Sequence, residues 1–331
     1  MRYSQAEKME IIQIVEASEL GVKRTLAELG INRSTFYEWY RRYAEGGYDG
    51  LAPRSHAPRR FWNAIPPWER RKVVETALEH PDKSPRELAW HITDTRGYYI
   101  SESSIYRILK ANNLISSPAY TVLSAADEFE HPTKRINELW QTDFTYLKVV
   151  HWGWYYLATV LDDYSRYILS WRLCRSMSSA EVTEVVEDAI AVAGVEHVTI
   201  MNRPRLLSDN GPCFISHELK HYLCDRGIKH IRGKPFHPMT QGKIERYHRS
   251  MKSIVTLDNY YSPEKLETEI ASFVQYYNNE RYHESLDNVT PADVYYGRSE
   301  EILSWRKQIK KQTMKQRRAY YQSLKKADAV G

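Results

Sequence analysis

Three long strand-like runs in the middle of the chain constrain its fold more than any other feature. Residues 138–150, 153–162 and 165–173 are rich in aromatic and β-branched side chains, and only short turn sequences separate them. Runs this close together pair as antiparallel hairpins. Alternating helix and strand patterns follow at 178–193, 204–208, 216–226, 228–232 and 240–254. We therefore predict an α/β domain with a mixed five-stranded sheet and helices on both faces.

Three acidic residues of this domain occupy positions from which they could converge in space. Asp143 lies in the first strand, Asp209 ends the fourth, and Glu245 lies on the basic helix after the fifth, 35 residues beyond Asp209. Hard divalent cations such as Mg²⁺ take oxygen ligands. Two such ions can hold the attacking and the leaving oxygen of a phosphoryl transfer. The three acids therefore indicate metal-dependent phosphoryl transfer.

Other acidic residues compete for the role of metal ligand. Asp162 and Asp163 lie in the turn between the second and third strands, where aspartate side chains commonly accept hydrogen bonds from turn amides. We favour that structural role for both. Glu245 also has an ordinary alternative, because a glutamate among cations on a helix often forms surface ion pairs. For His237, in the loop before that helix, a phosphate contact and a structural role both stay open.

Two helical units precede the sheet, and each has the pattern of a helix-turn-helix. Residues 1–45 contain a supporting helix and two short helices around a Gly-containing turn, and residues 67–115 repeat this plan. The last helix of each unit would enter the major groove of DNA. The candidate DNA contacts are Ser34, Thr35, Arg41 and Arg42 in the first unit and Ser103, Ser104 and Arg107 in the second. A plain three-helix bundle is the alternative for the first unit.

Two segments of irregular composition join these parts of the chain. Residues 46–66 form a linker rich in Pro, Gly and Arg, and residues 116–136 form a connector that includes an acidic run. Proline and glycine at this density oppose regular structure. The linker arginines could lie in a minor groove, as basic arms do, or belong to a solvated spacer. These residues are Arg54, Arg59 and Arg60.

Positive charge is distributed unevenly along the chain. The net charge is only +5, yet residues 305–326 contain nine Lys or Arg residues and no acid. We assign residues 137–297 to the catalytic core and residues 298–331 to a basic tail that we predict to be a helix without a clear apolar face. Further candidate DNA contacts share the helix of Glu245, namely Lys243, Arg246, Arg249 and Lys252. Clustered cations favour a nucleic-acid partner because they release counterions from DNA.

Cysteine usage and hydropathy favour a soluble protein of a reducing cytoplasm. Cys174, Cys213 and Cys224 form no CxxC motif and no disulfide framework. The sequence shows no signal peptide and no apolar run long enough to span a membrane. We therefore expect no membrane partner.

Ordered motifs extend across residues 136–297. They are Trp140-Gln141-Thr142-Asp143, Ser208-Asp209-Asn210-Gly211, Gly242-Lys243-Ile244-Glu245-Arg246, the segment 275–286 and Thr290-Pro291-Ala292. With the 35-residue spacing, this set resembles the bacterial insertion-sequence transposases of the DDE, or retroviral-integrase, superfamily. The resemblance implies an RNase H-like catalytic core in which Asp143, Asp209 and Glu245 hold two Mg²⁺ ions, with Mn²⁺ as a substitute.

The same resemblance implies an activity and partners. The expected reaction is 3′-end cleavage followed by strand transfer, on double-stranded DNA that comprises the terminal inverted repeats of the element and a target. The expected assembly is a homo-oligomer, at least a dimer when two ends are bound. The expected location is the bacterial cytoplasm, in association with the nucleoid.

Two other functions stay open. The chain could be a domesticated DNA-binding repressor with an inactive core, although all three acids are present. It could also be a metal-dependent nuclease of the same fold that performs no strand transfer. Viral integration is not expected, since the sequence lacks the His/Cys zinc-binding domain that precedes retroviral integrase cores.

Overall fold

The chain divides into two compact units, residues 1–64 and residues 65–331. The structure, a computed structural model, describes residues 3–18, 20–52, 62–115, 133–233 and 241–328, without the side chains of residue 201 and residues 325–328. Each unit is built around its own buried apolar side chains.

The first unit consists of three helices, α1 (Gln5–Ala17), α2 (Val22–Glu28) and α3 (Arg33–Gly50). Their core includes Ile12, Leu26, Phe36, Trp39 and Leu51. Asn32 caps α3, because its side chain accepts a hydrogen bond from the amide of Ser34 at 3.3 Å.

Helix α3 runs further than the sequence predicts. We placed the start of the irregular linker at residue 46, but helical structure continues to Gly50. The backbone departs from helical geometry only at Gly46 and Gly47, and Gly47 has a φ of +58°. The glycine pair therefore kinks the helix, because glycine adopts this left-handed conformation without the steric cost that a Cβ would bring.

The second unit begins with another three-helix arrangement. Its helices are α4 (Pro67–Glu79), α5 (Pro85–Arg96) and α6 (Glu102–Ala111). Ser84 caps α5, since its hydroxyl accepts from the amide of Glu87 and the Glu87 carboxylate accepts from the amide of Ser84. The core of this arrangement contains Val73, Leu88, Ile92, Ile100, Ile105 and Leu109.

The predicted mixed five-stranded sheet is confirmed, with the strand order β3-β2-β1-β4-β5. Its strands are β1 (Leu139–Val149), β2 (Gly153–Asp162), β3 (Ile168–Cys174), β4 (Arg205–Ser208) and β5 (Lys229–Arg232). The first three strands pair antiparallel, whereas β4 pairs parallel with both β1 and β5. Strand β4 pairs only with residues 139–141 of β1. Among the described residues, the rest of β1 therefore has no strand partner on that side.

Helices pack on both faces of the sheet. They are α7 (Ser179–Ala193), α8 (His217–Asp225), α9 (Gly242–Val255), α10 (Pro263–Asn279) and the short α11 (Pro291–Tyr295). On one face, Val186 of α7 and Leu219 of α8 join a core with Trp140 and Leu206. On the other face, side chains of α9 and α10 join a core with Leu147 and Leu157 of the hairpin.

Strand β3 starts three residues later than predicted, at Ile168 rather than at residue 165. The cause is the turn before it. The Asp162 carboxylate accepts hydrogen bonds from both the amide and the hydroxyl of Ser165, at 2.8 and 2.6 Å. Arg166 then adopts a φ of +67°. Residues 165–167 therefore belong to the turn and not to the strand.

The basic tail forms a long helix, α12 (Ser299–Asp328), that packs through polar side chains. Arg306 is 4% exposed and donates to both carboxylate oxygens of Asp94, at 2.8 and 2.6 Å. Arg317 is 5% exposed and donates to the Tyr98 hydroxyl and the Tyr99 carbonyl, at 2.8 and 2.7 Å. The packing face of α12 is thus largely polar, with Ile309 as a buried apolar residue within it, and it contacts α5 and the loop that follows α5.

Candidate active site

The strand register brings two of the three predicted ligands together. Gln141 of β1 is the partner of Leu207 in β4, and these two strands run parallel. Asp143 and Asp209 each lie two residues further on, so they reach the same level at the carboxyl end of β4. Neighbouring strands lie about 4.8 Å apart. The two carboxylates are close enough for the charge of Asp143 to raise the pKa of Asp209.

Asp209 is an aspartate whose charge is incompletely compensated. Burial raises its pKa above the ordinary aspartate value, and the nearby charge of Asp143 acts in the same direction. One hydrogen bond opposes this effect, from the amide of Gly211 to Asp209 Oδ1 at 2.9 Å. No cation of the described residues forms an ion pair with Asp209. A cation placed between Asp143 and Asp209 would therefore stabilise both charged forms.

Gly211 leaves space for the Asp209 carboxylate. A Cβ added at residue 211 would lie 3.1 Å from Asp209 Oδ1 and 3.5 Å from the Phe214 ring. The first of these distances is tighter than an ordinary van der Waals contact. A side chain at this position would press on the carboxylate that the Gly211 amide orients.

Helix α9 lies beside Asp143 and carries the third predicted ligand. His248 Nδ1 lies 3.6 Å from Asp143 Oδ2, and the imidazole is buried. Glu245 precedes His248 by three residues and is its neighbour on the helix surface, but His248 is buried whereas Glu245 is exposed. Glu245 itself is exposed and forms no hydrogen bond or ion pair with the described residues.

The described residues contain no group of three His, Cys, Asp or Glu side chains arranged to hold a metal ion. The structure brings Asp143 and Asp209 together and leaves Glu245 on the exposed side of α9. The assignment of Asp143, Asp209 and Glu245 as metal ligands stays a prediction. His237, in the segment just before α9, lies outside the described residues.

A buried polar cluster fixes the start of α9 against the sheet. Lys243 Nζ lies 2.6 Å from Asp163 Oδ2, and both side chains are nearly inaccessible to solvent. The Gln141 side chain donates to Asp163 Oδ1 at 2.7 Å and accepts from the amide of Ile244 at 3.1 Å. This cluster ties the first turn of α9 to β1 and to the β2–β3 turn.

The buried cluster corrects one of our predicted DNA contacts. Lys243 is 9% exposed and its ammonium also donates to the Asp163 carbonyl at 3.0 Å. Burying a lysine requires a compensating charge, and Asp163 supplies it. Lys243 therefore faces the interior of the domain, and we remove it from the set of DNA contacts.

Asp162 and Asp163 play structural roles, as we favoured. Asp162 accepts from the amides of Ser165 and Asn137, both at 2.8 Å, which is the predicted capping role. Burial raises the pKa of Asp162. Asp163 differs from the prediction, because it binds Lys243 and Gln141 instead of capping the turn.

Two residues near the site were absent from our predictions. Gln141 is fully buried directly after the apolar pair Leu139 and Trp140, and a polar side chain at this point of a strand is a signal the sequence contains. His248 carried no comparable signal, because it sits among cations on α9. Only the three-dimensional proximity to Asp143 distinguishes it.

The other predicted DNA contacts differ in accessibility. Exposed side chains are Ser34, Arg41, Ser103, Arg107, Arg246 and Arg249, whereas Thr35, Arg42, Ser104 and Lys252 are half-buried. Part of Arg42 is engaged in the fold, since its guanidinium donates to the Ala52 carbonyl. Burial lowers the pKa of Lys252, and the charge of Asp143 opposes that effect. The linker arginines Arg54, Arg59 and Arg60 lie outside the described residues.

Known families match most of the chain. Residues 133–238 and 226–291 each match a family model described as integrase core domain. Residues 35–109 match a homeodomain-like domain, and residues 7–59 match a helix-turn-helix domain. The chain thus matches integrase core models over residues 133–291, and helix-turn-helix or homeodomain-like models over residues 7–109. Its fold is the predicted one, an α/β integrase core of the RNase H-like class that follows helix-turn-helix domains.

Individual relatives include bacterial transposases and a viral integrase. The chain is 23% identical to the transposase for transposon Tn552 of Staphylococcus aureus over 302 residues, which are 83% of this chain and 62% of that protein. A putative transposase for insertion sequence element IS986/IS6110 of Mycobacterium tuberculosis is 33% identical over 94 residues, covering 28% of this chain and 33% of that protein. The chain thus spans about three fifths of the length of the Tn552 transposase.

Among solved structures, the HTLV-2 integrase catalytic core domain in complex with magnesium is similar, with a TM-score of 0.40 and 23% identity. The match covers 49% of this chain and 97% of that domain.

Within the described residues, no helix of this protein combines the length and the apolar character that a membrane span requires.

Proposed function

We propose that this protein is a transposase that moves an insertion sequence. In this proposal, the helix-turn-helix domains bind the terminal inverted repeats, and the integrase core cuts 3′ ends and joins them to target DNA. The observation that carries the proposal is the pairing of Asp143 with Asp209 at the carboxyl end of β4, beside the helix of Glu245, within an integrase core.

We infer that Asp143 and Asp209 form two sides of a site for divalent cations, which Glu245 would complete. Asp143 and Asp209 offer oxygen ligands, and their mutual repulsion is unrelieved by any ion pair of Asp209 with the described residues. Asp143, Asp209 and Glu245 would hold the metal. When bound, two Mg²⁺ ions, or Mn²⁺ in their place, supply Lewis-acid stabilisation of the attacking and leaving oxygens of a phosphodiester.

The protein's own residues orient the carboxylates and the DNA. The Gly211 amide fixes the rotation of the Asp209 carboxylate, and His248 lies against Asp143 and limits its movement. On the exposed face of α9, Arg246 and Arg249 would contact DNA phosphates on either side of the reacting bond.

The exposed face of α6 suits the recognition of the terminal repeats. Ser103 and Arg107 are exposed on this helix. The Arg107 guanidinium donates a hydrogen bond to the Ser103 carbonyl at 3.0 Å, which holds it along the helix surface. Two ends must be held together for strand transfer, so the active form would be a homo-oligomer in the bacterial cytoplasm, associated with the nucleoid.

The test uses purified protein, Mg²⁺ and a supercoiled plasmid that carries the native flanks of the gene. Mapping of 3′-OH ends at nucleotide resolution should show defined cuts at the flanks with the wild type and none with Glu245→Gln. Glu267→Gln, which changes an exposed glutamate of α10, is the matched control and should cut normally.

Three other results would contradict the proposal in different ways. Protection of the flanks without cutting would favour a DNA-binding repressor. Cutting without any joined product would favour a nuclease of the same fold. Cutting that survives Glu245→Gln would show that the third ligand lies elsewhere.

A further inference from the structure

A cleft lies beside the active site, between the β1–β2 hairpin and the carboxyl end of α9. Its volume is about 340 Å³, within the roughly 300–1,000 Å³ range of pockets that bind small ligands. We call it the aromatic cleft and define it by Tyr146, Lys148, Trp154, Lys252 and Tyr260, which line it together with Asp258 and Asn259.

Two aromatic rings of the cleft stand out into solvent. Tyr146 is 59% exposed and Trp154 is 55% exposed, and their ring centroids lie 5.5 Å apart in a T-shaped arrangement. Large adjacent apolar surfaces that remain exposed commonly mark binding sites. Neither ring is needed to close the hairpin core, which Leu147 and Leu157 fill from the opposite face of the sheet.

Each of these rings has an ammonium group over it. Lys252 Nζ lies 4.0 Å from the centroid of the Tyr146 ring, and Lys148 Nζ lies 6.0 Å from the centroid of the Trp154 ring. Cation–π contacts hold the lysine side chains in place and put positive charge at the mouth of the cleft. Such a surface attracts a polyanion that also has flat aromatic groups.

The cleft lies close to the Asp143 carboxylate, although Tyr146 and Asp143 are on opposite faces of β1. Lys252 connects the two, because its ammonium lies 4.0 Å from the centroid of the Tyr146 ring and is near enough to Asp143 for that charge to act on its pKa. Lys252 lies on the same helix as Glu245, seven residues further on, and therefore on the same face. The edge of β1 beyond Gln141 has no strand partner among the described residues, so a DNA strand at the carboxylates would reach the aromatic cleft around that edge.

The chemistry of the cleft selects an unpaired base over duplex DNA. Bases within a duplex are stacked on each other and present only their edges, whereas an unpaired base can stack on an aromatic side chain. The lining also includes Asp258 and Asn259, which can hydrogen-bond to a base edge. The Asp258 charge would repel a phosphate near it.

We propose that the aromatic cleft receives an unpaired nucleobase of the DNA strand bound at the Asp143–Asp209 site, with the base stacked against Tyr146 and Trp154. The proposal rests on the proposed function for its location on a DNA path. It adds a contact that holds a frayed strand end close to the carboxylates. Stacking on aromatic rings is tolerant of sequence, so the cleft would accept any base.

The test compares two DNA probes on the full-length protein in EDTA, so that no cleavage occurs. One probe is a blunt duplex from the gene flanks, and the other is the same duplex with three unpaired thymines at the 3′ end. Binding is measured by fluorescence anisotropy. Tyr146→Ala and Trp154→Ala should each weaken binding of the overhang probe about tenfold, as loss of base stacking does. Binding of the blunt probe should stay unchanged.

Matched variants separate stacking from folding. Trp305→Ala removes an exposed tryptophan of α12, which is 42% exposed, and should change neither affinity by more than about twofold. Trp154→Phe keeps an aromatic face and should retain most of the overhang affinity. Circular dichroism melting of every variant shows whether a loss of affinity comes from unfolding.

Two results would overturn the proposal. One is an equal loss of affinity for both probes, or no loss for either, in well-folded Tyr146→Ala and Trp154→Ala. The other is a change of oligomeric state in sedimentation with intact binding of the overhang, which would make the cleft an interface between copies of this chain. The proposed function can fail separately. If the Tyr146→Ala and Trp154→Ala variants lose affinity only for the overhang probe while the wild type cleaves no plasmid, base binding in the cleft is supported and the transposase assignment is contradicted.

Discussion

Aspartates in two regions of the catalytic domain, the buried cluster around Asp163 and the end of β4 at Asp209, have contrasting surroundings. In the buried cluster, Asp163 has Lys243 at 2.6 Å and two further hydrogen-bond donors, Gln141 and Thr133, at 2.7 and 2.6 Å. At the end of β4, Asp209 has one amide hydrogen bond and a second carboxylate nearby. The Asp163 carboxylate therefore has a cation to balance its charge, whereas Asp209 has no ion pair with the described residues.

The difference indicates which aspartate is suited to a structural role and which is suited to bind a cation. A buried charge with a complete set of partners is costly to disturb but offers nothing to a ligand. A carboxylate whose pKa is raised by burial and by a like charge is less stable as an anion until a cation arrives. Asp209 therefore has the properties of a ligand, although Asp163 is the more deeply buried group.

The largest expected effect is on stability and comes from Asp163→Asn. This change removes the carboxylate that lies 2.6 Å from the buried Lys243 ammonium, so the free energy of unfolding should fall by about 3–5 kcal/mol. Urea denaturation measures it. The double variant Asp163→Asn with Lys243→Met should recover part of the loss, because it also removes the buried ammonium. Full stability of the single variant would show that the ion pair does not hold α9.

Asp209→Asn should have the reverse pattern. Loss of a metal ligand should reduce strand cleavage by on the order of a thousandfold, which corresponds to about 4 kcal/mol. The free energy of unfolding should stay within about 0.5 kcal/mol of wild type or rise, because the repulsion from Asp143 disappears. Quantitative plasmid cleavage and urea denaturation of the same preparation test both parts. A large loss of stability would place Asp209 with Asp163 as a structural residue.

A smaller effect is expected from Gly211→Ala. The added Cβ would lie 3.1 Å from Asp209 Oδ1, so the carboxylate must shift by a few tenths of an ångström. Cleavage should fall about tenfold, because misplaced catalytic groups lose rate steeply. Gly21→Ala is the control, since a Cβ there meets nothing within 4 Å. Equal rates for wild type and Gly211→Ala would show that this close approach is unimportant.

The smallest expected effect is a pH dependence of stability. The pKa of Asp209 is raised in the folded protein, so the folded state holds its proton to higher pH than the unfolded chain does. Without metal, this group should lower the stability of the folded state as pH rises from the ordinary aspartate value of 3.8 to the raised value, and have no further effect above it. The difference in unfolding free energy between wild type and Asp209→Asn, measured across this range, should show that slope.

Much of the sheet could be predicted because its pattern is local. The strand runs of β1 and β2 alternate and are bounded by turn residues, and the structure places their ends within one residue of the prediction. Asp143 and Asp209 lie side by side because β1 and β4 pair in a parallel register. That register is set by packing of side chains far apart in sequence, so the sequence indicated the two acids but not their alignment.

The errors have a common physical cause, which is that a cation looks the same in sequence whether it is paired or exposed. Lys243 sits beside Arg246 on α9, yet its partner Asp163 lies 80 residues earlier. Arg306 of α12 is likewise paired with Asp94, 212 residues earlier. Neither partner could be identified from composition or periodicity. The polar packing of α12 was missed for the same reason.

The most direct test of Asp209 as a metal ligand is a titration of Mn²⁺ into the wild type bound to plasmid that carries the gene flanks. Binding of Mn²⁺ is detected by its paramagnetic resonance. We predict two ions per protomer, with the affinity reduced at least about tenfold in both Asp209→Asn and Glu245→Gln. The exposed-glutamate control Glu267→Gln should bind as the wild type does. Unchanged stoichiometry and affinity in Asp209→Asn and Glu245→Gln would contradict the assignment of these carboxylates to a metal site.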